Sequence, residues 1–386
     1  MKYVLLFLTM VCFPVLAQDD DLKKDEAMTL AVLPFDNVSR QAEFDWLSAG
    51  FAEQLTAGLA KVRTIRVVER LQLDKIIKEQ DLQMSDLVDE TKAVKVGQVL
   101  TVKKLLLGSF QILNEQLLVS ARIVDAETGA VDTHHVFRAE DQLDNIFEIY
   151  DELTRTVVKS FGIKLSKKQT TLMDKTKKSG TKKIQAYEFY IKGLQAYNRG
   201  DEKSLKEARD LFKKALNKDK KYMDARKALG NTYIKLNELD DAIDEYEKIS
   251  KSPDVTEEIY YTLGLFYTIK GKTDKAVSAY QSAIRMHAGY ADAYYNLGVL
   301  YRTAGQFAAA YDMFGKALMI EDDNPDYQYE AAVTLMGLNK QYDALNLLQQ
   351  ALENGFQKKE KIIKDKEWDA VRFQSRFKEL MDEYFE

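Results

Sequence analysis

The chain holds one cysteine, three histidines and four prolines in 386 residues. A single Cys12 excludes a disulfide framework and a thiolate metal site. A lipid-acceptor cysteine follows a small residue, and Val11 stands before Cys12 instead. Of the histidines, His134 and His135 are adjacent, and neighbours on a strand point to opposite faces, so they do not share an ion. With His287 far along the chain, no metal centre is expected. No phosphate-cradling glycine loop, nucleophile elbow or metalloprotease helix occurs, so no catalytic residue and no cofactor site is expected either. The net charge of −5 gives no bulk attraction to nucleic acid or to anionic membranes. The scarcity of proline argues for long regular elements. What remains is an ordinary globular composition, 46% hydrophobic and 30% charged, in a chain long enough for two or three domains.

The first 17 residues read as an export signal. Lys2 is the positive end, 3–16 are apolar except for Thr9 and Pro14, and Val15-Leu16-Ala17 is a cleavage site. The apolar stretch is shorter than the roughly 18–20 residues that span a bilayer. Cleavage would leave Gln18 first and remove Cys12. Residues 18–27 are an acidic lead-in whose Asp19-Asp20-Asp21 run reads as solvation.

From 28 to 165 strands and helices alternate, then strands meander. Leu30 to Phe35 is a buried-strand run ended by the turn Asp36-Asn37-Val38-Ser39. Leu47, Phe51, Leu55 and Leu59 step by four and predict a helix over 44–62. Strands are expected at 64–68, 105–110, 117–124 and 131–138, with a tight connection at Asn114-Glu115 and a turn at 126–129. Helices are expected at 71–80, 91–100 and 143–161. The pattern predicts a mixed sheet with helices packed on it. Residues 166–183, with seven Lys and one Asp, read as a solvated linker.

The second half carries a period. Tyr233, Tyr267 and Tyr301 are 34 residues apart, as are Gly230, Gly264 and Gly298, and Ala242, Ala276, Ala310 and Ala344. Units begin at Met223, Glu257, Ala291 and Pro325, and a degenerate unit precedes them with about three extra residues in the turn 199–204. Gly or Ala at the eighth position lets the two helices of a unit approach closely, and Gly271 and Gly305 serve the turns. The array occupies 184–354, about five units. Residues 355–386 are expected to cap the last unit with Trp368, Val371, Phe373, Phe377 and Leu380.

This period and these residue types resemble the tetratricopeptide (TPR) family. The first half resembles the CsgG-like family of exported bacterial domains. The likeness is carried by Ala31-Val32-Leu33-Pro34-Phe35-Asp36-Asn37, Val67-Val68-Glu69-Arg70, 73–80, Leu107-Gly108-Ser109-Phe110 and 122–129. The fold class is therefore an α/β domain, a mixed sheet with packed helices, followed by an all-α TPR solenoid. The second resemblance implies location in the periplasm and a role in envelope assembly. Membrane association is expected to be peripheral at most, and the α/β domain is expected to dock to an envelope component, with self-association through it as an option. Against a channel stand the missing lipid-acceptor Cys and the 110–117 connection, far too tight for membrane-crossing hairpins.

In TPR proteins, positions 2, 5, 9 and 12 of each first helix usually face a groove. Position 5 gives Lys227, Tyr261, Tyr295 and Tyr329, position 9 gives Asn231, Leu265, Val299 and Val333, and position 12 gives Ile234, Thr268, Arg302 and Met336. Tyr and Arg in a concave face are typical anchors for a bound segment. The same spacing serves equally a column of rings packed on one another. Lys227 with Asn231 resembles the start of a carboxylate clamp, which Asp292 would oppose. The expectation is a non-enzymatic periplasmic scaffold that binds a protein or peptide in this groove and serves cell-envelope or outer-membrane assembly. The alternatives are an accessory or subunit of a curli-type secretion apparatus, or a regulator of a peptidoglycan synthase. Nucleic acid is not an expected partner, because the basic residues lack interleaved aromatics.

Overall fold

A computed structural model describes residues 28–62, 64–68, 97–165 and 180–385, with short pieces at 95 and 169–170. The export signal, the acidic lead-in, the helix expected at 71–80 and most of the Lys-rich linker lie outside the described residues. The chain divides into two compact units, one ending at Glu245 and the other running from Tyr246 to Glu386.

The first unit is built on a mixed sheet. Its strands are β1 (Met28–Val32), β2 (Asp36–Asn37), β3 (Ile65–Val67), β4 (Lys104–Leu113), β5 (Gln116–Asp125) and β6 (Val131–Gln142). The order is β3-β1-β4-β5-β6, with β2 beside β4. β1 runs parallel to β3 and β4, while β4, β5 and β6 form an antiparallel meander. Parallel strands buried on both faces need continuous apolar runs, and Leu30, Ala31, Val32 and Leu33 are all buried. The β4–β5 connection is the two-residue turn expected, with Asn114 and Glu115 both at positive φ (51° and 66°). At 126–129 the Asp125 carboxylate accepts from the Glu127 and Thr128 amides and from the Thr128 hydroxyl. Those bonds, the Thr128 amide's first, hold its carboxyl down at about 2.

Helices α1 (Trp46–Leu59) and α2 (Ile146–Ser160) pack on the sheet and on each other. Phe51 is the hub: its ring stacks 4.8 Å from Phe35 and lies 5.7 Å from Phe110 and 4.9 Å from Tyr150. The same unit continues into α3 (Ile184–Arg199), α4 (Glu202–Lys218), α5 (Met223–Lys235) and the start of α6 (Leu239–Ile249). Tyr187 of α3 docks into the α/β layer. It sits edge-on to Trp46, Phe147 and Tyr150, and its hydroxyl donates to the Gly50 carbonyl at 2.8 Å. The three extra residues of this degenerate unit do not widen the turn. They lengthen α4, whose N-cap Asp201 accepts from the Ser204 amide at 3.0 Å.

The second unit holds the rest of α6, then α7 (Glu257–Ile269), α8 (Thr273–Met286), α9 (Ala291–Thr303), α10 (Phe307–Leu318), α11 (Pro325–Gly337) and α12 (Gln341–Glu353). Each helix pair packs as the period demands. A Cβ at Gly264 would stand 2.4 Å from the Tyr280 ring, so only hydrogen fits there. The turn between paired helices needs a left-handed residue. Gly271 supplies it at φ 67°, and Asn339 takes the corresponding place two units later at φ 59°. The chain ends in α13 (Lys359–Lys364), a 3-10 turn (Lys366–Ala370) and α14 (Ser375–Phe385). Of the cap residues expected, Trp368, Val371, Phe377 and Leu380 are buried and Phe373 is 82% exposed. No helix of the described residues is long and apolar enough to cross a membrane.

Candidate functional site

The residues expected to line a groove fall in both units. Lys227 and Asn231 stand one turn apart on α5 in the first unit, both half-buried. Lys227 lies in the field of the neighbouring Asp224, whose carboxyl is raised to about 6 by burial against the opposing pull of Lys227 and Lys61.

In the second unit Tyr261 and Leu265 stand on α7, Tyr295, Val299 and Arg302 on α9, and Tyr329 on α11. Tyr261 is half-buried between Tyr280 (5.9 Å) and Tyr290 (5.1 Å), and its hydroxyl accepts from the Asn296 amide at 3.2 Å. This joins α7 to α9. Tyr295 is half-buried against Phe314 (5.9 Å) and Tyr327 (5.0 Å). The Tyr327 hydroxyl donates to Asp292 at 2.8 Å and joins α9 to α11. Burial first, then nearby carboxylates, pushes the phenols of Tyr261 and Tyr295 well up, so both stay protonated and able to donate. Leu265 and Val299 are half-buried on the same two helices.

Tyr329 differs from its two repeats. It is fully buried, stacked 4.2 Å from Phe356 and 6.4 Å from Trp368, and its hydroxyl donates to Asp365 at 2.5 Å. Every residue of α11 from Tyr327 to Met336 is buried, because the C-terminal segment lies over this helix. Arg302 belongs to the same closure. Its Nη1 donates to Glu367 at 3.2 Å, and its Nε lies 3.0 Å from the buried Glu330 carboxylate. That second approach is close enough for an ion pair but is not aligned as a hydrogen bond, since both atoms lack a hydrogen-bond partner. Lys361 completes the Glu330 pairing at 2.5 Å. The sequence reading missed Glu330, Asp365 and Glu367. None of them repeats at 34 residues, so no periodic signal marks them.

Among the described residues no cluster of His, Cys, Asp and Glu has metal-binding geometry. His134 and His135 fall on β6.

The fold and this face define a mixed-sheet domain joined to a helical-repeat interaction array. The profile of the curli production assembly/transport component CsgG matches residues 16–118, and that of the tetratricopeptide repeat matches 201–263 and 268–329. The chain thus carries a CsgG-type domain followed by TPR repeats. A protein of Rhizobium meliloti (strain 1021) named "Putative adenylate cyclase 3" is 26% identical over 193 residues, which is 50% of this chain and 30% of that protein. The chain therefore spans less than a third of that relative's length. Among solved structures, a MamA protein shares 26% identity over 44% of this chain and 91% of its own, with a TM-score of 0.41. YrrB, described as a TPR protein with an unusual peptide-binding site, shares 21% over 44% and 86%, with a TM-score of 0.39. The combination of a CsgG-type domain and TPR repeats supports a protein-interaction scaffold.

Proposed function

We propose that this protein is a non-enzymatic, exported adaptor of the cell envelope whose array holds a segment of a partner protein. One observation carries the reading. The inner positions of α7 and α9 present half-buried Tyr261, Leu265, Tyr295 and Val299, whereas the same positions of α11 are already covered by the chain's own C-terminal segment. Aromatic and aliphatic side chains beside protonated phenols, with the carboxylate of Asp292 at the margin, suit an apolar segment carrying donor or cationic groups. Lys227 and Asn231 are the corresponding positions in the preceding repeat.

The CsgG-type match favours a second reading, an accessory of a curli-type secretion apparatus. Photo-crosslinking from the native envelope tests the first. A photoreactive residue at Leu265 or Val299 should give a discrete protein adduct, and one at the exposed Ser278 of α8 should not. Equal labelling from both faces, or none from Leu265 and Val299, rejects this face as the binding site.

A further inference from the structure

β6 is an edge strand. Among the described residues it pairs only with β5, and its free side is long, whereas the opposite edge of the sheet, β3, has three residues. The pairing of β6 with β5 is regular from Val136 to Gln142 and irregular before it. Beyond that stretch the Leu143 amide donates to the Glu115 carbonyl at 2.9 Å. This fixes the alternation. The backbone groups of Phe137, Ala139 and Asp141 meet β5, and those of Val136, Arg138 and Glu140 point away from it. The same three residues carry exposed side chains, Val136 at 46%, while Phe137 and Ala139 are buried against the helices. Neither Arg138 nor Glu140 has a hydrogen bond or ion pair among the described residues.

Exposed edges are commonly blunted by charge. Here the two charges are opposite in sign and two residues apart, which makes the edge complementary to itself. We propose that two copies of this chain join through β6, antiparallel about a two-fold axis at Ala139, into one continuous sheet. In that register the regular stretch 136–142 pairs with itself. Arg138 of each copy stands opposite Glu140 of the other, and Val136 stands opposite Gln142. The two Arg138–Glu140 pairs bring together outward-facing amides and carbonyls for about four backbone hydrogen bonds. A shift of one residue in the axis sets Arg138 against Arg138, or Glu140 against Glu140, and like charges directly opposite are unfavourable. The charges therefore choose the register as well as the partner. This dimer does not depend on the groove reading.

The test is sedimentation equilibrium of the full chain without its export signal, from about 1 to about 200 μM, a range that covers weak dimers. A monomer–dimer equilibrium is expected. Glu140→Arg turns two attractive pairs into two repulsive ones and should raise the dimer Kd by at least about tenfold. The charge swap Arg138→Glu with Glu140→Arg should restore dimerisation. Both side chains are exposed, so circular dichroism and Tm should stay those of the parent in every variant. A chain that stays monomeric throughout overturns the proposal. So does a dimer indifferent to Glu140→Arg, or a charge swap that fails to restore it.

Discussion

Single residues set the tolerances of this protein. Gly264 faces the Tyr280 ring at a distance that no Cβ accepts, so Gly264→Ala should cost about 1–3 kcal/mol by overpacking. Gly315 on α10 has nothing within 4 Å of where its Cβ would be. Gly315→Ala should be neutral or stabilise by up to about 1 kcal/mol through helix propensity, and paired thermal melts check both. Two carboxyls give opposite pH signatures. Asp125 is depressed from 3.8 to about 2, so its contribution is complete above 3.8 and is lost as pH falls through about 2. Asp224 is raised from 3.8 to about 6, so the folded state binds the extra proton between those values. Stability from this group should fall as pH rises from 3.8 to about 6, then level. Asp224→Asn should flatten that part of the Tm–pH profile, and an unchanged slope there would show that another group is responsible.

At the scale of elements, two contacts decide which pieces stand alone. Helix α3 is tied to the α/β layer by Tyr187, whose ring and hydroxyl both reach into it. Tyr187→Phe should cost about 1 kcal/mol, the lost hydrogen bond, and Tyr187→Ala about 3–5 kcal/mol, measured by denaturant unfolding. The C-terminal segment is equally integral. It places Ile362, Trp368 and Val371 against α11, all fully buried. Ending the chain after Gly355 would strip cover from Tyr329, Val333 and Met336, and the shortened protein should aggregate or bind hydrophobic dyes where the full chain does not. The helix starts Met223, Glu257, Ala291 and Pro325 were legible because 34-residue spacing repeats the same physical demand at each unit. The lengthened α4 was not, since an added helical turn and a longer loop look alike in a polar stretch such as 202–207. Asn339 escapes the glycine pattern because it serves a glycine's purpose without being one. The salt bridges under the C-terminal segment were invisible for a different reason. Arg302, Glu330, Lys361 and Glu367 are brought together by tertiary closure, and no local rule relates them.

At the scale of the whole molecule, the adaptor and secretion-accessory readings separate by extraction. An adaptor peripheral to the membrane should be released from cells by osmotic shock without detergent. Retention in the outer-membrane fraction until detergent is added would favour the accessory instead. Fold class was legible from pattern alone, because strand runs and a strict repeat leave few alternatives. The row of expected groove positions follows from the 34-residue repeat; where that row is bounded does not. Its boundary lies where Phe356, Asp365 and Trp368 sit on Tyr329. That boundary acts as a ruler. Among the described residues of the C-terminal unit, the uncovered face spans α7 and α9, two helices each about 10 Å across. An extended guest laid over them has room for roughly six residues before it meets the wall. Lengthening such a guest in that direction should therefore add no affinity.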